Sequence, residues 1–109
     1  MLPKRQRITK SLFPKGNSDT FSVSNNILTL VFSKKKHDRA RWSFVISKKS
    51  AGKATERNLL RRRGYSIIEQ NPIFMTKKRF FIVYLKKEAI TESFLELQKN
   101  LTEVFKKIR

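Results

Sequence analysis

Runs of apolar residues in the 109-residue chain are separated by a few glycines and prolines, chiefly Pro14 with Gly16, Gly52 and Pro72. In residues 4–13, Ile8, Leu12 and Phe13 recur at i, i+4 and i+5 among Lys4, Arg5, Arg7 and Lys10, which predicts a short helix or a basic arm ending at Pro14. Residues 20–23 and 27–32 are rich in β-branched and aromatic side chains, and Ser24, Asn25 and Asn26 between them suit a turn, so the two runs read as a hairpin. After a polar loop over residues 34–41, Trp42, Phe44 and Ile46 alternate with Ser43, Val45 and Ser47, the period of a third, half-buried strand.

In residues 54–70, Leu60, Gly64, Ile67 and Ile68 fall at i, i+4, i+7 and i+8, one stripe of a helix. Gly64 costs about 1 kcal/mol relative to alanine there, so it either weakens the helix or marks a close backbone approach. Residues 79–85 are almost continuously apolar, as expected for a central strand buried on both faces. Thr91 is placed to cap a last helix, with Ile90 and Leu95 at the positions of a hydrophobic staple and Phe94, Leu97, Leu101, Val104, Phe105 and Ile108 as its apolar stripe. The predicted order is α-β-β-β-α-β-α, an α+β two-layer sandwich with helices on one side of a small sheet and an uncovered face of the kind that binds RNA.

A chain of this length that is 39% hydrophobic supports one modest core, so a single domain over residues 1–109 is expected, with residues 1–6 as a flexible basic arm. The absence of cysteine excludes disulfides, thiolate zinc sites and a cysteine nucleophile, and fits a reducing, cytoplasmic location. No signal-peptide pattern and no run of about 18 uncharged apolar residues occurs, so a soluble, unprocessed protein without membrane contact is expected.

Charge alters this picture most. The chain carries 26 Lys and Arg against 8 Asp and Glu, a formal net charge of +18. Residues 1–87 hold 22 basic and 4 acidic side chains, whereas residues 88–109 hold four of each, so all of the excess lies in the first 87. Segregation of that kind predicts a C-terminal helix that supports the fold and a remainder that faces a polyanion.

Hydrolytic chemistry has little to draw on. Outside the last helix the acids Asp19, Asp38, Glu56 and Glu69 are scattered, and the single histidine, His37, lies beside Asp38 in a Lys and Arg loop, where solvation explains the pair better than acid/base work. No catalytic residue and no protein metal cage is assigned.

Binding is better supplied. Basic loops at residues 34–41 and 48–53 and the arginines of residues 57–63 are interleaved with Phe13, Trp42, Phe44 and Tyr65, the combination used for backbone contact and base stacking. For Trp42 and Phe44 a core position is the simpler reading, while Phe13 and Tyr65 suit either role. Arg57 with Arg61, and Asn58 with Arg62, stand one helical turn apart in two rows suited to phosphates, and Arg63 lies across the helix.

The series Ser47-Lys48-Lys49, Gly52-Lys53-Ala54, Arg57-Asn58 and Arg61-Arg62 resembles the signature of the bacterial ribonuclease P protein subunit, and the order of elements extends the resemblance over nearly the whole chain. Leu59 departs from the pattern where the family repeats arginine, and Gly64 and Tyr65 replace an apolar and a basic residue. The resemblance implies a fold with a left-handed strand-helix-strand crossover, against the general rule, similar to the second domain of a small-subunit ribosomal protein. It also implies a basic subunit bound one-to-one to a catalytic RNA, aiding magnesium-dependent removal of the 5′ leader from precursor tRNA, with the active site and the magnesium belonging mainly to the RNA.

By the same resemblance Lys48, Lys49, Lys53, Arg57, Asn58, Arg61 and Arg62 contact RNA, and Phe13, Phe32, Phe44 and Tyr65 are candidates for lining the leader cleft, Phe32 standing in for a strand tyrosine of the family. Two other classes share the composition: a structural ribosomal protein, which would carry similar basic patches, and a DNA-binding module, for which no helix-turn-helix spacing or zinc pattern is present.

Overall fold

The computed structural model describes residues 20–108. The predicted first helix, the basic arm, Phe13 and Pro14 lie outside them. Strands β1 (Thr20–Ser24), β2 (Leu28–Ser33) and β3 (Arg41–Ile46) are followed by helix α1 (Ala54–Gln70), strand β4 (Phe80–Leu85) and helix α2 (Phe94–Lys106). Single 3-10 turns at Pro72–Met75 and Lys87–Thr91 connect them.

The four strands form one sheet in the order β1-β2-β4-β3, antiparallel except for the parallel pair β3 and β4 that α1 connects. The last strand in sequence is therefore an inner one, as its continuous apolar character predicts. The turn between β1 and β2 is built by Asn25, whose Oδ1 accepts from the N–H groups of Ile27 (2.9 Å) and Leu28 (3.1 Å) and whose Nδ2 donates to Asn100 Oδ1 of α2 (3.1 Å). An asparagine side chain thus stands in for a backbone turn and ties the hairpin to the helical layer.

Alternation along the strands sorts residues onto two faces. Leu28, Leu30, Phe32, Trp42, Phe44, Ile46, Phe81, Val83 and Leu85 face the helices and meet Leu60, Ile67 and Ile68 of α1 and Leu97, Leu101, Val104 and Phe105 of α2 in one core. Trp42 is its centre: the indole stacks on Phe81 with centroids 4.3 Å apart, meets Phe74 and Phe105, and donates from Nε1 to the Phe74 carbonyl at 3.1 Å. On the outer face Phe80 and Ile82 pack with Val31 and Val45 in a smaller cluster.

Two expectations are corrected. Helix α2 is capped by Ser93, whose Oγ accepts from Glu96 N–H at 3.2 Å, and not by Thr91, which ends a 3-10 turn with its hydroxyl donating to Glu88 O. The staple fails with it, since Leu95 is 73% exposed.

Candidate nucleic-acid interface

The chain leaves β3 into a turn that its own serines close. Ser50 N–H donates to both Ser47 O and Ser47 Oγ at 3.1 Å, Ala51 N–H donates to Ser47 O at 3.0 Å, and the Ser47 hydroxyl donates to Ser50 Oγ at 3.1 Å. Lys48 and Lys49 occupy the tip of this turn, exposed, while Ala51 is buried as its anchor. A side chain at Gly52 would meet nothing within 4 Å, so the glycine leaves open space where another backbone can approach.

Lys53 is the N-cap of α1 and supplies no side-chain cap to its first-turn N–H groups. The positive end of the helix therefore lies with Lys48, Lys49 and Lys53, an arrangement that favours phosphate.

Along α1, the side chains predicted to form two equal rows have distinct jobs. Arg57 is part-buried and folds back, its Nη1 donating to Ala51 O (2.8 Å) and Gly52 O (3.1 Å), so it braces the lysine turn. Arg61 donates to Asn58 Oδ1 at 2.9 Å, which orients that amide across one turn. Asn58 and Arg62 are exposed. The structure thus brings together Lys48, Lys49, Lys53, Arg57, Asn58, Arg61 and Arg62 on the turn that leaves β3 and the helix it feeds.

The aromatic candidates are placed differently. Phe32, Phe44 and Tyr65 are 8%, 3% and 9% exposed and belong to the core between sheet and helices, where Phe44 and Tyr65 meet edge to face at 5.1 Å and Phe32 lies between Phe21 and Phe81. They offer no free ring face to a base. Phe13 lies outside the described residues.

Two strand aromatics reach solvent: Tyr84, 43% exposed on the outer face of β4, and Phe21, 53% exposed on the edge strand β1. The exposure of Tyr84 is hidden in the sequence by the almost unbroken apolar run of residues 79–85, which predicts burial on both faces. Period-two alternation, which puts Tyr84 on the face of Phe80 and Ile82, was the available signal.

A family model described as Ribonuclease P matches residues 2–109. The chain belongs to the ribonuclease P protein family. That family is the protein subunit of ribonuclease P, an endoribonuclease that works with an RNA component, which is consistent with a role in tRNA 5′ processing. Among solved structures, the RNase P protein of Thermotoga maritima is 26% identical with a TM-score of 0.75, covering 84% of this chain and 86% of that one. A Staphylococcus aureus RNase P protein mutant with defective mRNA degradation activity is 25% identical, with a TM-score of 0.73 over 94% of this chain and 87% of that one. Another S. aureus RNase P protein structure shares the fold, with a TM-score of 0.69 at 24% identity, covering 97% of this chain and 91% of that one. No curated protein matches.

Within this member of the ribonuclease P protein family, the described residues hold no cluster of three or more His, Cys, Asp or Glu side chains that could cage a metal, and no helix among them is long and apolar enough to cross a membrane. The side chains gathered at the turn and on α1 are hydrogen-bond donors, cations and one amide, a set that binds and orients phosphates.

Proposed function

We propose that the chain is the RNA-binding subunit of a cytoplasmic ribonuclease P, assisting a catalytic RNA in the magnesium-dependent removal of the 5′ leader from precursor tRNA. The observation that carries this reading is the braced lysine turn beside the exposed Asn58 and Arg62 of α1, in a chain of this family. A turn already held by its own hydrogen bonds presents its lysines at a helix N-terminus without the cost of ordering the backbone on contact with RNA. On this reading the magnesium belongs mainly to the RNA.

The outer sheet face, where Tyr84 stands between Thr29 of β2 and Val45 of β3, suits a single-stranded leader, whose bases stack on an exposed ring. Reconstitution with precursor tRNA tests the proposal. The protein alone should leave the transcript intact, and its addition to the cognate RNA should lower the magnesium needed for cleavage. Cleavage by protein alone, or no effect on the RNA, would overturn it.

A further inference from the structure

A second group of cations gathers at the opposite end of the sheet. Strands β3 and β4 run parallel and β2 runs against them, so the loop after Ser33 and the segment before Phe80 meet where β3 and β4 begin, whereas the lysine turn leaves β3 at its far end. Six strand residues rise about 20 Å, which sets the scale of the separation. Between the two segments lies an open pocket of about 460 Å³ lined by Lys36, Thr76, Lys77, Lys78 and Arg79.

The walls of this pocket are fixed. His37 N–H donates to Lys78 O at 2.6 Å, and its imidazole stacks on Phe80 with centroids 3.7 Å apart. Arg41 N–H donates to Arg79 O at 3.2 Å, and Arg79 Nη1 donates to Ser33 O (2.8 Å) and Lys34 O (2.5 Å). Lys77 donates to Ile108 O at the end of the helical layer. All of these acceptors are neutral carbonyls.

Lys34, Lys35, Lys36, Arg39, Arg41, Lys77, Lys78 and Arg79 therefore stand in two cross-linked segments whose one carboxylate, Asp38, is taken by Arg39 at 3.3 Å. Arg41 Nε is buried there with no hydrogen-bond partner. Holding like charges together against their repulsion is unfavourable unless an anion offsets it. A concave pocket with hydrogen-bonded walls admits a phosphodiester chain, whereas a lipid surface calls for a flat or protruding apolar face.

We propose that this end of the sheet is a second RNA-backbone site, so that the protein holds backbone phosphates at two separate places, the lysine turn with α1 and the pocket of Lys36, Lys78 and Arg79, besides the leader on the outer sheet face. The inference rests on the RNA-binding reading above and adds this backbone site to it. Lys36 and Lys78 are exposed, and the contact of residue 78 with His37 is made by its backbone, so Lys36→Gln with Lys78→Gln leaves the bracing intact.

The test is calorimetric titration of the full chain with a uridine hexanucleotide at low salt, with thermal melting to verify folding. The Lys36→Gln/Lys78→Gln protein should take up one hexamer fewer than the unsubstituted chain, Lys48→Gln/Lys49→Gln one fewer as well, and the quadruple variant two fewer. An unchanged titre in Lys36→Gln/Lys78→Gln, or a quadruple variant no worse than either double, would overturn the second backbone site alone. So would loss of binding to anionic phospholipid vesicles in Lys36→Gln/Lys78→Gln with an unchanged hexamer titre. No hexamer binding by the unsubstituted chain would overturn the RNA-binding reading itself.

Discussion

Gly64 of α1 lies directly against the ring of Phe44 on β3: a Cβ at residue 64 would stand 2.5 Å from Phe44 Cε1 and 2.6 Å from Cδ1. The ring has no easy retreat, because Tyr65 packs its edge against it. Gly64→Ala should therefore destabilise by about 1–3 kcal/mol through overpacking, more than the roughly 1 kcal/mol that alanine gains in a helix. Urea midpoints measure this, and Phe44→Leu in the same chain should recover part of the loss. A more stable Gly64→Ala protein would mean the helix stands farther from the sheet.

Trp42 is the sole tryptophan, and its Nε1–H meets the buried Phe74 carbonyl. Trp42→Phe keeps an aromatic ring over Phe81 but strands that carbonyl, at an expected loss of about 1–3 kcal/mol in denaturant unfolding followed by circular dichroism. Neutral behaviour would show that the carbonyl finds another donor.

Arg57 and Arg62 should separate two effects that look alike in the sequence. Arg62→Ala should weaken RNA binding and leave stability within about 0.5 kcal/mol, as for an exposed side chain. Arg57→Ala should weaken binding and also lower the melting temperature, because two carbonyls of the turn lose their charged donor. Equal melting curves for the two variants would contradict the bracing role.

Tyr84 and Phe32 make the corresponding pair for the leader. Tyr84→Ala should cost about 1–3 kcal/mol in binding of a single-stranded leader if one base stacks there, with the fold intact. Phe32→Ala should instead cost about 3–5 kcal/mol of folding stability. Titration of each variant with leader oligonucleotide, after a melting control, would reveal reversed roles.

If about five phosphates are neutralised, log affinity for RNA should fall against log salt with a slope of about −3.5 to −4.5. Sulfate and phosphate should raise the melting temperature, since an anion that binds the folded basic face relieves its repulsion. A flat salt dependence would show that the charge does not carry binding.

Elements with strong periodicity were legible in the sequence. Helix α1 occupies the residues its stripe marks, Ala54–Gln70, and β4 takes the inner position that an unbroken apolar run requires. The start of α2 is ambiguous in the sequence because Thr91 and Ser93 both carry capping hydroxyls. The pair Ser93 and Glu96 has the spacing of a capping box, and local hydrogen bonding at Ser93 prevailed. At the interface, residue type identified the cations of the turn and α1, but not which of them is a strut, since Arg57 turns back only because the loop presents two carbonyls to it. The lysines and arginine of residues 77–79 carry no such signal in the sequence, because their partner loop lies some forty residues away and is brought near only by the strand order.

The sheet ends on both sides in unpaired edges, β1 and β3, among the described residues. On β1, Phe21 is 53% exposed, with the Lys34 ammonium 5.0 Å from its ring centroid. Cationic side chains at an edge discourage strand-to-strand association between molecules. That safeguard is electrical, so short polyanions that cancel the charge also remove it. Solutions of the protein should stay clear when either component is in excess and turn turbid near charge equivalence, where open edges meet without repulsion.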